Sequence, residues 1–237
     1  MSATTIGSTE QVLATETTVA AASRAIAARR WFLVASPVLA GAFAIVGAVA
    51  DPAAGQAGRE MWEIYTANPE PLQFKSLGFH WSYAFWIAPA LLLAAYVKGR
   101  GAWLANIAAF IGFAGMTTLP GLLFVDWYDS AIGQMYGVDA IERVNEHMSA
   151  TMWGVPVFTL PGIIGLAVAL PLAAAALWRA GLVRWWAPAA VVAAFAAFIL
   201  SSVTWWGCLV TMAFLTVFAV AVERATRPAG LLRVERS

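Results

Sequence analysis

Five long apolar runs interrupt this chain, and the charged residues between them alternate in kind. The runs are about Trp31–Ala50, His80–Val97, Ala102–Val125, Met152–Leu177 and Trp185–Val222. About 20 apolar residues in a helix cross the roughly 30 Å hydrocarbon core of a bilayer. The last run is too long for one crossing, because its helix would reach about 57 Å. Ser201, Ser202 and Thr204 interrupt it, and Trp205 and Trp206 follow at once. Tryptophan prefers the headgroup level. The run therefore divides into Trp185–Leu200 and Trp205–Val222, the alternative being one long kinked helix. The expected fold is all-α, a polytopic transmembrane bundle of six helices.

The basic residues orient that bundle. Of 14 Lys and Arg, 11 fall in four clusters: Arg24, Arg29 and Arg30; Lys98 and Arg100; Arg179 and Arg184; Arg224, Arg227, Arg233 and Arg236. The other three, Arg59, Lys75 and Arg143, lie in two segments that carry nine of the 13 acids. Lys and Arg are retained on the cytoplasmic side during insertion. Both termini are thus expected in the cytoplasm, and the two acidic segments outside. Trp31, Trp103, Trp178, Trp185 and Trp186 then mark the inner interface, and Trp81, Trp127 and Trp153 the outer one. Trp86 alone lies more than a turn inside a span.

Composition supports a chain surrounded by lipid. It is 61% hydrophobic and 11% charged, against about 25% charged in a soluble domain. A net charge of +1 offers no basic face for nucleic acid. A single cysteine, Cys208, excludes an internal disulfide and a multi-cysteine metal site.

Residues 1–28 read as a disordered cytoplasmic tail with a helix starting near Thr18, residues 29–223 as the bundle, and residues 224–237 as a basic cytoplasmic tail. Ala28-Arg-Arg-Trp-Phe-Leu33 and Ala48-Val-Ala50 before Asp51 also resemble an export signal and its cleavage site. The apolar stretch exceeds the 7–15 residues usual for a signal, which favours a retained first helix.

No carboxylate can be placed inside a span, which counts against a proton relay at mid-membrane. The acids crowd one rim instead. Asp126-Trp-Tyr-Asp129 is expected to end the third helix, His80 to open the second, and His147 to precede the fourth by a few residues. Two carboxylates and two imidazoles could bind zinc or another divalent ion, or act as a general acid/base set. His80 and His147 could alternatively ligate one haem iron. The plain alternative is that Asp126 and Asp129 end a helix at water.

Ser130–Ser149 has apolar residues at helical spacing and reads as a short amphipathic helix between the third and fourth spans, with Asp139 and Arg143 as an i, i+4 pair. Arg59–Ala67 reads as a second one, broken by Asn68-Pro-Glu-Pro71. The two could cover the outer mouth of the bundle or simply anchor at the interface. Thr118-Leu-Pro-Gly121 and Thr159-Leu-Pro-Gly162 recur in the third and fourth helices. Kinks there would splay the bundle and open a cavity toward the acidic rim.

Asp51-Pro52 through Pro89, then Leu119-Pro-Gly121 and Asp126-Trp-Tyr-Asp-Ser-Ala131, resemble small multipass membrane proteins of high-GC Gram-positive bacteria. The resemblance covers most of residues 31–222. It implies a multipass fold in the cell membrane and no activity. Three functions remain open. One is a membrane-complex subunit or a binder of a lipid or other apolar molecule. Another is an enzyme acting on a lipid or isoprenoid at the outer leaflet through Asp126, Asp129, His80 and His147. The third is a carrier of a small apolar solute.

Overall fold

The computed structural model describes residues 6–227, with side chains from residue 24 onward except that of residue 120. The described part is helical and contains no strand. The long helices are α1 (Ile6–Ala50), α3 (Pro69–Leu93), α4 (Ala102–Tyr136), α8 (Trp186–Leu200) and α9 (Trp205–Ala225). A further rod consists of α6 (Gly154–Ile164), a π-helical turn (Gly165–Ala169) and α7 (Leu170–Arg179). Two short helices, α2 (Gly58–Ala67) and α5 (Val138–Thr151), sit together at the end that holds the acids. Four segments are long and apolar enough to cross a membrane: Arg24–Ala50, Ala102–Tyr136, Gly154–Arg179 and Trp205–Ala225. Trp186–Leu200 is apolar but shorter.

The rods pack in a ring: α1 on α3, α3 on α4, α4 on α6 and α7, α7 on α8, α8 on α9, and α9 back on α1. Glycines set several of these approaches. A Cβ on Gly78 of α3 would lie 2.4 Å from the Gly47 nitrogen of α1. A Cβ on Gly115 of α4 would lie 2.7 Å from the Gly165 Cα. Only glycine lets two backbones come this close. α1 fills a place in this ring, between α3 and α9.

Several boundaries differ from the sequence reading. α1 starts at Ile6, upstream of Thr18, so the described part of residues 1–28 is helical; alanine repeats there favour helix. Arg233 and Arg236 lie outside the described residues. α3 begins at Pro69, not at His80, because Pro69 needs no N–H partner in the first turn. Leu72, Lys75, Ser76 and Phe79 bury one of its faces. α4 does not stop near Val125. It runs on to Tyr136 and ends at Gly137, whose φ of 84° is left-handed. At 1.5 Å per residue α4 is about 52 Å long, roughly 20 Å more than a bilayer core. The segment Ser130–Ser149 is therefore two helices, the end of α4 and then α5.

The division of the last run is as expected. α8 ends at Leu200 and α9 starts at Trp205, with Ser202 and Val203 at φ of 51° and 60° between them. The Thr211 hydroxyl donates across to the Ala194 carbonyl at 3.1 Å, and Ser82 to the Ala40 carbonyl at 2.8 Å.

The two Thr-Leu-Pro-Gly stretches do not splay the bundle; they face each other in a closed contact. A Cβ on Gly162 would lie 2.7 Å from Thr118 Oγ1. The side chain of Pro120 lies outside the described residues. One proline does have a visible effect. In the i→i+5 register of a π turn, the Leu166 carbonyl would pair with the N–H of residue 171, and Pro171 has none. Trp86, the mid-span tryptophan, supplies the missing donor, its Nε1 giving a 2.9 Å bond to the Leu166 carbonyl.

Candidate functional site

The polar chemistry gathers at the acidic end, where α2, α3, α4 and α5 meet. α2 lies on α4 because its apolar face has a matching surface: Tyr65 is buried with Ala53 and Leu72, and Met61, Ile64 and Trp127 pack around them. The Ser130 hydroxyl donates to the Tyr65 carbonyl at 2.8 Å. Gly133 leaves room for Thr66. Arg59 of α2 then reaches α5, with Nη1 2.7 Å from Asp139 and 3.6 Å from Glu142, while its Nε contacts Glu63 at 3.0 Å. Asp139 thus pairs with Arg59 and not with Arg143. These groups are about half exposed, so the bridge orients the two short helices more than it stabilises them.

Beneath this cap lies an ion pair the sequence reading missed. Lys75 Nζ of α3 hydrogen-bonds Asp126 Oδ2 of α4. The same ammonium sits 4.9 Å from the centre of the Tyr65 ring, a cation–π contact. The Tyr65 hydroxyl donates to Asp51 Oδ1 at 3.3 Å, and the Ala53 N–H donates to the same oxygen at 3.0 Å. Burial raises the Tyr65 pKa well above its usual value, and the Asp51 and Asp126 carboxylates push it further. Tyr65 therefore stays a neutral donor. Asp129, one turn beyond Asp126, is buried and accepts from Asn145 Nδ2 of α5 at 3.3 Å. The i, i+3 spacing puts both aspartates on one side of the continuing helix, each with its own partner.

The histidines are not part of it. His147 is exposed on α5. His80 lies about three turns into α3, with its ring edge-on to Trp81 at 5.4 Å. No described hydrogen bond links either histidine to Asp126 or Asp129. Among the described residues no three His, Cys, Asp or Glu side chains converge as a metal site would require. Of the four candidate residues, Asp126 is bonded to Lys75 and Asp129 to Asn145, and neither imidazole shares a described hydrogen bond with them. As held here, Asp126 ties α4 to α3 and Asp129 ties α4 to α5, and burial raises the Asp129 pKa above the usual carboxylate value.

His80 borders a different feature. About one turn below the Lys75–Asp126 pair, α3 and α4 enclose a cavity of about 210 Å³ lined by His80, Tyr83, Ala84, Ile87, Met116, Leu119 and Leu123. His80 and Tyr83 supply its polar side chains. The pair was hard to see in the sequence because Lys75 stands in a stretch whose mean hydropathy hides its helix. The available signal was a lone cation on a helical face with Leu72 and Phe79, which needs a counter-ion once buried. No family model matches the chain, and no curated protein or solved structure matches it.

Proposed function

We propose that this chain is an integral membrane protein with six spans and both termini in the cytoplasm, and that it binds a lipid chain or other apolar molecule between α3 and α4. The topology rests on the sorted basic clusters and on the polar cap at the opposite end of the ring. The single observation behind the binding reading is the apolar cavity at the α3–α4 contact. Its volume suits a small apolar molecule or part of one acyl or prenyl chain. The Lys75–Asp126 pair and the neighbouring cap lie on its outer side, within reach of a polar head.

Native mass spectrometry of gently extracted protein tests this. An apolar adduct should accompany the wild type and be lost from Ala84→Phe, which fills the cavity. Wild-type protein without adduct in several mild detergents refutes the reading. The topology has a separate test with a membrane-impermeant maleimide on intact cells. Arg59→Cys should label and Lys98→Cys should not.

A second reading is a subunit of a membrane complex. In its support, α4 beyond its apolar run exposes Tyr128, Met135 and Tyr136, each about two-thirds exposed. The carrier reading has less behind it, because the Thr/Gly contact of α4 with α6 is closed. The enzyme reading would need Asp126 or Asp129 released from its partner.

A further inference from the structure

At the end of the ring opposite the cap, the start of α4 and the end of α7 border an open groove of about 470 Å³ lined by Arg100, Leu104, Ala175, Trp178, Arg179 and Gly181. The two arginines come from distant parts of the chain and are brought together by the backbone. A Cβ on Gly101 would lie 2.5 Å from the Ala176 carbonyl, and Gly101 has a φ of 98°. The loop before α4 can therefore seat directly on α7 only with glycine there. Among the described residues neither Arg100 nor Arg179 forms a salt bridge with a carboxylate. The rest of the lining runs from polar to apolar. The arginines and the half-exposed Trp178 mark a headgroup level, while Leu104 and Ala175 continue toward the apolar part of their helices.

We propose that this groove binds an anionic phospholipid, with Arg100 and Arg179 gripping the phosphate. Two guanidiniums on one phosphate give bidentate, charge-assisted bonds. Trp178 lies at the level of the glycerol, and the acyl chains follow Leu104 and Ala175. Basic pockets between membrane helices commonly hold such head groups. The site is separate from the α3–α4 cavity and does not depend on a ligand being bound there. It requires only that Arg100 and Arg179 lie at a membrane face. With the topology proposed above, that face is the inner leaflet.

The test is native mass spectrometry of the full chain from nanodiscs of phosphatidylglycerol or phosphatidylcholine. Wild type should retain phosphatidylglycerol in preference. Each charge-assisted hydrogen bond to the phosphate contributes about tenfold in affinity. Arg100→Gln and Arg179→Gln should each lower retention about that much, and the double variant should lose the preference. Lys98→Gln with Arg184→Gln removes two charges from the same face outside the groove and should leave it intact. Gel filtration and thermal melting of each variant separate loss of the site from loss of the fold. Equal retention of both lipids overturns the proposal, as does an unchanged preference in the double variant or an equal loss in the Lys98/Arg184 control. Millimolar inorganic phosphate should not displace the adduct; displacement would assign the site to a soluble anion and refute a lipid.

Discussion

Lys75 on α3 and Asp126 on α4 form an ion pair with side chains only 11% and 20% exposed. It joins two helices that meet around a cavity and lies under a lid made of two others. Desolvating both charges is costly, so such a pair is weak evidence of net stabilisation but a strong constraint on geometry. Its partners explain why it is tolerated: the Tyr65 ring covers the ammonium, and the network continues through Tyr65 to Asp51.

Removing one member should be far worse than removing both. Asp126→Ala or Lys75→Ala should destabilise by about 2–4 kcal/mol, because the remaining charge is left buried. Lys75→Met with Asp126→Leu should come close to wild type. Thermal unfolding in detergent, analysed as a double-mutant cycle, checks this. Equal losses in single and double variants would show that the pairing is not what matters.

Trp86→Phe keeps the ring and removes the donor to the Leu166 carbonyl. The expected cost is about 1 kcal/mol. In a Pro171→Ala background the new N–H can take that carbonyl, so Trp86→Phe should cost clearly less. A cycle with no coupling would refute the link between the π turn and the tryptophan.

Gly78→Ala places a methyl group where the Gly47 backbone of α1 already lies. It should lower stability by about 1–3 kcal/mol. Ala84→Ser, on the same helix but at the cavity wall, adds one atom where there is room and should not reproduce this effect, and comparison of their melting curves checks the claim.

Ser202 is exposed and held at a φ of 51°. Ser202→Gly should raise the melting midpoint, with a net gain of about 0.5 kcal/mol after the entropy of glycine is subtracted. Ser202→Ile should lower it. The same order of effects in both variants would mean the turn is not strained there.

The phenol of Tyr65 gives an alkaline prediction. Its pKa is raised in the folded protein, so above about pH 10 the folded state holds a proton that the unfolded state has lost. Stability should then fall with rising pH, by up to about 1.4 kcal/mol per unit from this group. Tyr65→Phe should flatten the slope between about pH 10 and 11.5, as measured by chemical unfolding. An unchanged slope would assign the loss to other groups.

The elements that sequence revealed most clearly are those where one kind of residue dominates. The break at Ser201–Thr204 was visible because hydroxyls and paired tryptophans interrupt an otherwise uniform run. The α2 helix was visible because its apolar residues recur every turn before Asn68-Pro69. The start of α3 and the far end of α4 were not, because their exposed faces are polar and hydropathy averages the two faces together. Asp126 and Asp129 could be named from sequence, but their partners could not: Lys75 is 51 positions from Asp126, and Asn145 is 16 from Asp129. Spacing alone also grouped both histidines with them, since it gives depth along a rod and not the direction a side chain takes.

The closure of the ring has a consequence for how the protein is made. α1 is synthesised first, yet one of its neighbours is α9, the last long helix. At Gly41 a Cβ would lie 2.5 Å from Met212 Cβ, so the α1 and α9 surfaces are fitted to each other. During translation that side of α1 has no permanent neighbour until α9 itself has left the ribosome. Assembly intermediates should therefore be open arcs, and a chain truncated before Trp205 would present α1 and α8 as bare ends to quality-control proteases.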